Sequence, residues 1–185
     1  MIEAIKLSFE KTFNEIINTH SVSELRHINE QVFRYLLIKN LPDDIEKEDE
    51  WKRIDLLLHK DDILIPIELK FYDRRPLKNF KNNIKFYKGG AGKQNFSEFI
   101  KSSEILVELN NNPIIKNTGV RFSNGLYIIV AIDRKSDKTK FSDYYKGKHL
   151  DELKKHNIKS KELIKLDAQK GDFNIFGWIL DINKN

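Results

Sequence analysis

The stretch RIDLLLHKDDILIPIELKF, residues 53–71, decides the fold. Two apolar runs, 53–59 and 63–71, are joined by Lys60, Asp61 and Asp62, which predicts a β-hairpin with a short polar turn. Alternate side chains of a strand share a face, so Glu68 and Lys70 point one way and Ile67, Leu69 and Phe71 the other. Asp55 lies in the first run, and antiparallel pairing brings it beside Glu68. Pro66 removes a ladder donor from the second run, which predicts a bulge or bend just before Glu68.

Upstream, Ile2, Ile5, Phe9, Phe13, Ile16 and Ile17 recur at helical spacing, and Leu25, Ile28, Val32, Phe33, Leu36 and Leu37 repeat the pattern. Two amphipathic helices are expected, the second opened by Ser21 and Glu24 at capping-box spacing and closed by NLPDD at 40–44. Residues 47–52 offer an earlier strand. Downstream, 73–93 is basic, polar and glycine-containing, and reads as a long loop or partly helical insertion. Phe96, Phe99, Ile100, Ile105, Leu106 and Leu109 predict a third helix, ended by NNNP at 110–113. GLYIIVAID (125–133) is an unbroken apolar run, the mark of a strand buried on both faces. A charged helix over 142–156 and a final strand, FGWILDI at 176–182, complete an α/β order within one domain spanning 1–185.

The chain has no cysteine, which fits a reducing compartment. Charged residues interrupt the apolar ones at its N-terminus, and no run approaches the roughly 18 apolar residues of a membrane span. A cytoplasmic protein without a membrane partner is expected. The net charge is +5 and the sequence pI about 9.2. That balance favours polyanionic partners, nucleic acid first, although a lysine-rich surface also serves solubility.

Two carboxylates that approach each other repel, and burying them is costly unless a cation compensates. A divalent metal is the simplest compensation, and Mg²⁺ suits one or two carboxylates completed by water and phosphate oxygens. Lys70 can then position or deprotonate an attacking water, or stabilise charge on a scissile phosphate. The spacing itself recurs at Glu50/Lys52, Asp133/Lys135 and Glu152/Lys154. Only Glu68 closes an apolar strand that follows another carrying a lone acid. The alternative for Asp55, Glu68 and Lys70 is a structural ion-pair cluster, a weak source of stability.

In RIDLLL and IPIELKF, preceded by a helix bearing a glutamate, the chain resembles the PD-(D/E)XK nuclease superfamily over residues 29–132. Ile54 stands where the family name has proline. The resemblance implies a restriction-endonuclease-like core, a mixed central sheet flanked by helices in αβββαβ order, with an extra helix ahead of it. It implies metal binding by Asp55 and Glu68 and a helix acid, matched by Glu30, with Glu24 as the alternative. It makes Lys70 catalytic. Gln94 matches a polar residue the family often places at the next helix start; otherwise it is an ordinary helix-start residue.

Arg74, Arg75, Lys78, Lys81, Lys85, Lys88 and Lys93, interleaved with Phe80, Phe86 and Tyr87, form the densest basic stretch. They are candidates for gripping a nucleic-acid backbone, against the alternative of a solvated loop. GGAGK at 89–93 fails as a phosphate loop, since Tyr87 holds the first glycine position and Gln94 replaces Ser/Thr. The five histidines have no tight ligand spacing. The expected function is a Mg²⁺-dependent endonuclease, with Mn²⁺ able to substitute, acting on DNA with RNA open, in restriction, defence or repair. The alternative is a nucleic-acid-binding or assembly subunit of the same fold that needs a partner or does no chemistry. Cutting both strands would require a homodimer or second nuclease subunit, and the apolar face of the first helix is a candidate interface.

Overall fold

The computed structural model describes residues 1–51, 53–73, 75–78, 85–88, 93–111, 119–136, 140–141 and 150–184, without the side chains at 26, 75–78, 85–88 and 93–95. In chain order the elements are α1 (Ile2–Thr19), α2 (Glu30–Asn40), β1 (Glu46–Asp49), β2 (Leu56–Lys60), β3 (Ile63–Asp73), β4 (Arg75–Lys78), β5 (Lys85–Lys88), α3 (Lys93–Asn110), β6 (Arg121–Phe122), β7 (Gly125–Arg134), α4 (Leu150–Lys155), β8 (Ile158–Lys170) and β9 (Phe173–Lys184). Seven strands form one open mixed sheet in the order β1-β2-β3-β7-β9-β8, with β6 beside β3. β3 runs parallel to β6 and β7, and every other pairing in the sheet is antiparallel. Among the described residues β4 and β5 pair only with each other.

Helices cover both faces, which is why β7 is apolar on both. Leu126, Ile128 and Val130 join a core with Ile5, Phe9 and Phe13 of α1 and Phe33 and Leu37 of α2. Tyr127, Ile129 and Ala131 join the opposite core with Phe99, Ile100 and Leu106 of α3 and Leu153 of α4. Two glycines set the helix-to-sheet distance. A Cβ at Gly177 of β9 would lie 2.7 Å from the Phe9 ring, and one at Gly125 of β7 would lie 2.6 Å from the Leu106 Cβ.

The hairpin is present, with Leu56 opposite Ile67 and Lys60 opposite Ile63, but β2 starts after Asp55, which sits on the bend leading into it. Pro66 produces no bulge: it stays in register opposite Leu57. The N–H groups of Leu69 and Phe71 point to the β2 edge, so alternation sends position 66 to the other edge. There β6 ends at Phe122 and β7 begins at Gly125, so the missing donor falls at a break in the neighbouring strands.

Other expectations are corrected. The capping box forms, Ser21 N–H donating to Glu24 at 2.6 Å and Glu24 N–H to Ser21 at 3.3 Å, but it opens a 3-10 turn over Glu24–His27. α2 starts afresh, with Asn29 accepting from Val32 N–H at 2.9 Å as its cap. The early strand is Glu46–Asp49 rather than 47–52; within 73–93 the described residues include the antiparallel pair β4 and β5, and 74, 79–84 and 89–92 lie outside them. Of the helix expected over 142–156, Leu150–Lys155 is present and 142–149 lies outside the described residues. β8 was not foreseen. A bulge between Glu162 and Ile164 moves its apolar residues from one sheet face to the other and breaks the alternation that marks a strand. The apolar face of α1 is buried in the core, so it is not free to form an interface. No helix among the described residues is long and apolar enough to cross a membrane.

Candidate active site

β3 outruns β2. Beyond the Leu56–Ile67 pair its edge has no strand partner among the described residues, and its next outward N–H groups would lose their hydrogen bonds if nothing replaced the ladder. Two carboxylates take that place. Asp55 accepts from Leu69 N–H at 2.7 Å through Oδ2, and Glu30, in the first turn of α2, accepts from Phe71 N–H at 3.2 Å through Oε2. The open edge of β3 therefore fixes both acids beside the face that carries Glu68 and Lys70.

Lys70 Nζ lies 4.0 Å from Glu30 Oε2. Glu68 is 7 % exposed, and Ser102 of α3 donates to its Oε1 at 2.8 Å. Burial, reinforced by the charge of Asp55, pushes the Glu68 carboxyl up to about 7. Burial also raises Glu30, against the pull of Lys70 and with the push of Asp55. The acids thus share one electrostatic environment with fewer cations than it can use.

Arg34 answers part of that deficit. It lies one turn after Glu30 on the same face of α2, is buried, and reaches Asp49 at 3.1 Å, Glu50 at 2.9 Å and Asp55 Oδ1 at 3.2 Å. Glu50 adopts a left-handed conformation, φ 54°, and its N–H donates to the Asp55 carbonyl at 2.9 Å. This closes the loop from β1 to β2 and holds Asp55 at its end. Tyr72, next on the Glu68–Lys70 face, stacks on Phe141 with centroids 4.0 Å apart. Its buried hydroxyl has no hydrogen-bond partner among the described residues.

The structure brings together Glu30, Asp55, Glu68 and Lys70. Glu24 lies instead in the 3-10 turn, bonded to Ser21. Position 94 is in the first turn of α3, and helical spacing places 94, 98 and 102 on one face. The side chain of Gln94 lies outside the described residues, as do those of Arg75, Lys78, Lys85, Lys88 and Lys93 and the whole of Arg74 and Lys81. His59 is half-buried, paired with Glu46 at 3.1 Å and the Asp61 carbonyl at 2.7 Å. Arg34 and Ser102 were not foreseen; the available signal for Arg34 was its position four residues after Glu30.

Comparison with known proteins gives a plain result. No protein-family model, curated protein or solved structure matches this chain.

Among the described residues no three His, Asp or Glu side chains are grouped to hold a metal ion together. Two oxygens are open to a cation. Glu68 Oε2 and Glu30 Oε1 carry no hydrogen bond among the described residues, and carboxylate oxygens in electrostatic excess suit a hard cation. Asp55 already has both oxygens engaged, by Arg34 and Leu69.

Proposed function

We propose that the chain is a metal-dependent phosphodiesterase acting on DNA, built on a restriction-endonuclease-like core. The observation that carries this reading is the convergence of Glu30, Asp55 and Glu68 around Lys70 at the unpaired edge of β3. With β4, β5 and β6 set aside as additions, the order α2-β1-β2-β3-α3-β7, with α1 ahead of it, supports this reading, which expects a helix, three strands, a helix and a strand.

In this reading Glu68 Oε2 and Glu30 Oε1 are the open ligands for a divalent cation completed by water, and Asp55 joins them as a third only when Arg34 or the Leu69 N–H releases one of its oxygens. A bound Mg²⁺ or Mn²⁺ supplies a low-pKa water and neutralises phosphate charge. Ser102 fixes the Glu68 carboxylate, leaving its Oε2 for the cation. Arg34 and the Leu69 N–H orient Asp55 from two sides. The Lys70 ammonium faces the same space and stabilises charge as it develops on the scissile phosphate. The basic segment that follows β3 grips the backbone through phosphate contacts, and a second subunit accounts for double-strand cleavage.

A second reading has support of its own. The two engaged oxygens of Asp55, bonded to Arg34 and the Leu69 N–H, favour a nucleic-acid-binding or assembly subunit that does no chemistry alone. Linear, supercoiled, branched and single-stranded substrates incubated with Mg²⁺ or Mn²⁺ separate the two. Cleavage by wild type, reduced at least a hundredfold in Lys70→Ala and Asp55→Ala, is the expected result. Equal rates in all three proteins, or metal-independent binding without cleavage, would exclude the enzyme.

A further inference from the structure

At the other end of β3, about 17 Å from Glu68 by the rise of a strand, lies a cavity of about 250 Å³ lined by Ile63, Asn110, Arg121, Phe122, Ser123 and Asn124. Its apolar wall is Ile63 and Phe122, and Trp51 packs against the Phe122 ring with centroids 5.9 Å apart. Asn110 Nδ2 donates to Asn124 Oδ1 at 3.1 Å. That single bond leaves an acceptor on Asn110 and a donor on Asn124, and neither has another hydrogen bond among the described residues. The Ser123 hydroxyl and the exposed Arg121 guanidinium are likewise without side-chain partners there.

We propose that this cavity binds one nucleotide unit of a single nucleic-acid strand. An amide pair offering one donor and one acceptor matches a base edge, which recognition of unpaired bases reads together with stacking on aromatic rings. Arg121 supplies the phosphate contact that a base-sized pocket needs beside it. The volume lies below the roughly 300–1,000 Å³ of sites for larger ligands, so it takes a base rather than a whole cofactor. A free nucleotide has the same chemistry; the net charge of +5 favours the polyanionic strand.

This inference goes beyond the proposed hydrolysis and is tested with chelator present, so the loss of one leaves the other standing. Trp51 on the Phe122 ring provides an emission signal, since Trp178 is buried. Titration with single-stranded oligonucleotides should change that emission. Arg121→Gln should weaken binding about tenfold and lower the salt slope by about one. Asn124→Ala should weaken binding to a normal strand but not to an abasic one. Unchanged affinity in both variants, or no binding of single strands by wild type, would overturn the proposal. Displacement by a nucleoside monophosphate at equal concentration would overturn the strand assignment in favour of a free nucleotide.

Discussion

Glu68 is where the site and the stability of the fold oppose each other. Its carboxyl stands near 7 in the folded chain against an ordinary 4.5, so the folded state binds its proton more tightly than the unfolded state. The associated stability is complete below about 4.5, declines as pH rises and is gone above 7, a swing of roughly 3 kcal/mol. With chelator present, Glu68→Gln should raise the melting temperature at pH 8 and leave it unchanged at pH 4; assayed separately with Mg²⁺, it should abolish any cleavage. A lower melting temperature at pH 8 would contradict the buried-charge account. Tyr72→Phe removes a buried hydroxyl that bonds to no described group, so it should be neutral or stabilising by up to about 1 kcal/mol. Thermal melts giving a loss of that size would reveal a partner. At this scale Asp55, Glu68 and Lys70 were legible because a lone charge interrupts an apolar run. Arg34 was not: a charged residue on an amphipathic helix has the same sequence appearance whether it meets water or three carboxylates.

Elements deliver these residues, and their spacing depends on close contacts. α3 lies so near β7 that a methyl group on Gly125 would meet the Leu106 Cβ, an atom close to the helix backbone that cannot rotate away. Gly125→Ala should therefore cost about 1–3 kcal/mol and displace α3 together with Ser102, one turn away. Calorimetry would show the destabilisation, and loss of the pH-dependent behaviour of Glu68 would show the displacement. Asn29→Ala should cost about 1 kcal/mol by removing the α2 cap, measurable by urea unfolding. The helices and the β2–β3 hairpin followed from periodicity, as did the buried β7. β8 did not, since its bulge reverses the alternation, and Pro66 misled because the consequence of a missing donor depends on strands distant in sequence.

For the whole molecule, the proposed placement of hydrolysis and strand binding at opposite ends of β3 sets the expectation. Neutralising Lys70 should leave the salt dependence of nucleic-acid binding nearly intact. Neutralising Arg75 and Lys78 together should lower the slope of log affinity against log salt by about two, read from fluorescence anisotropy. An unchanged slope would place the phosphate contacts elsewhere. Charge balance predicted a polyanionic partner, but the sequence did not show the pocket, because its lining residues come from β3, α3 and β6, which are far apart in the chain.

The strand order has a consequence for synthesis. β9 fits between β7 and β8, so the apolar β7 has one edge without a neighbour while α4 and β8 are still being made. Until β9 leaves the ribosome, the middle of the sheet is an open template for another chain's strand. Nascent chains halted before Phe173 should need chaperone cover to remain dispersed, even though every residue of the acid cluster has already been made.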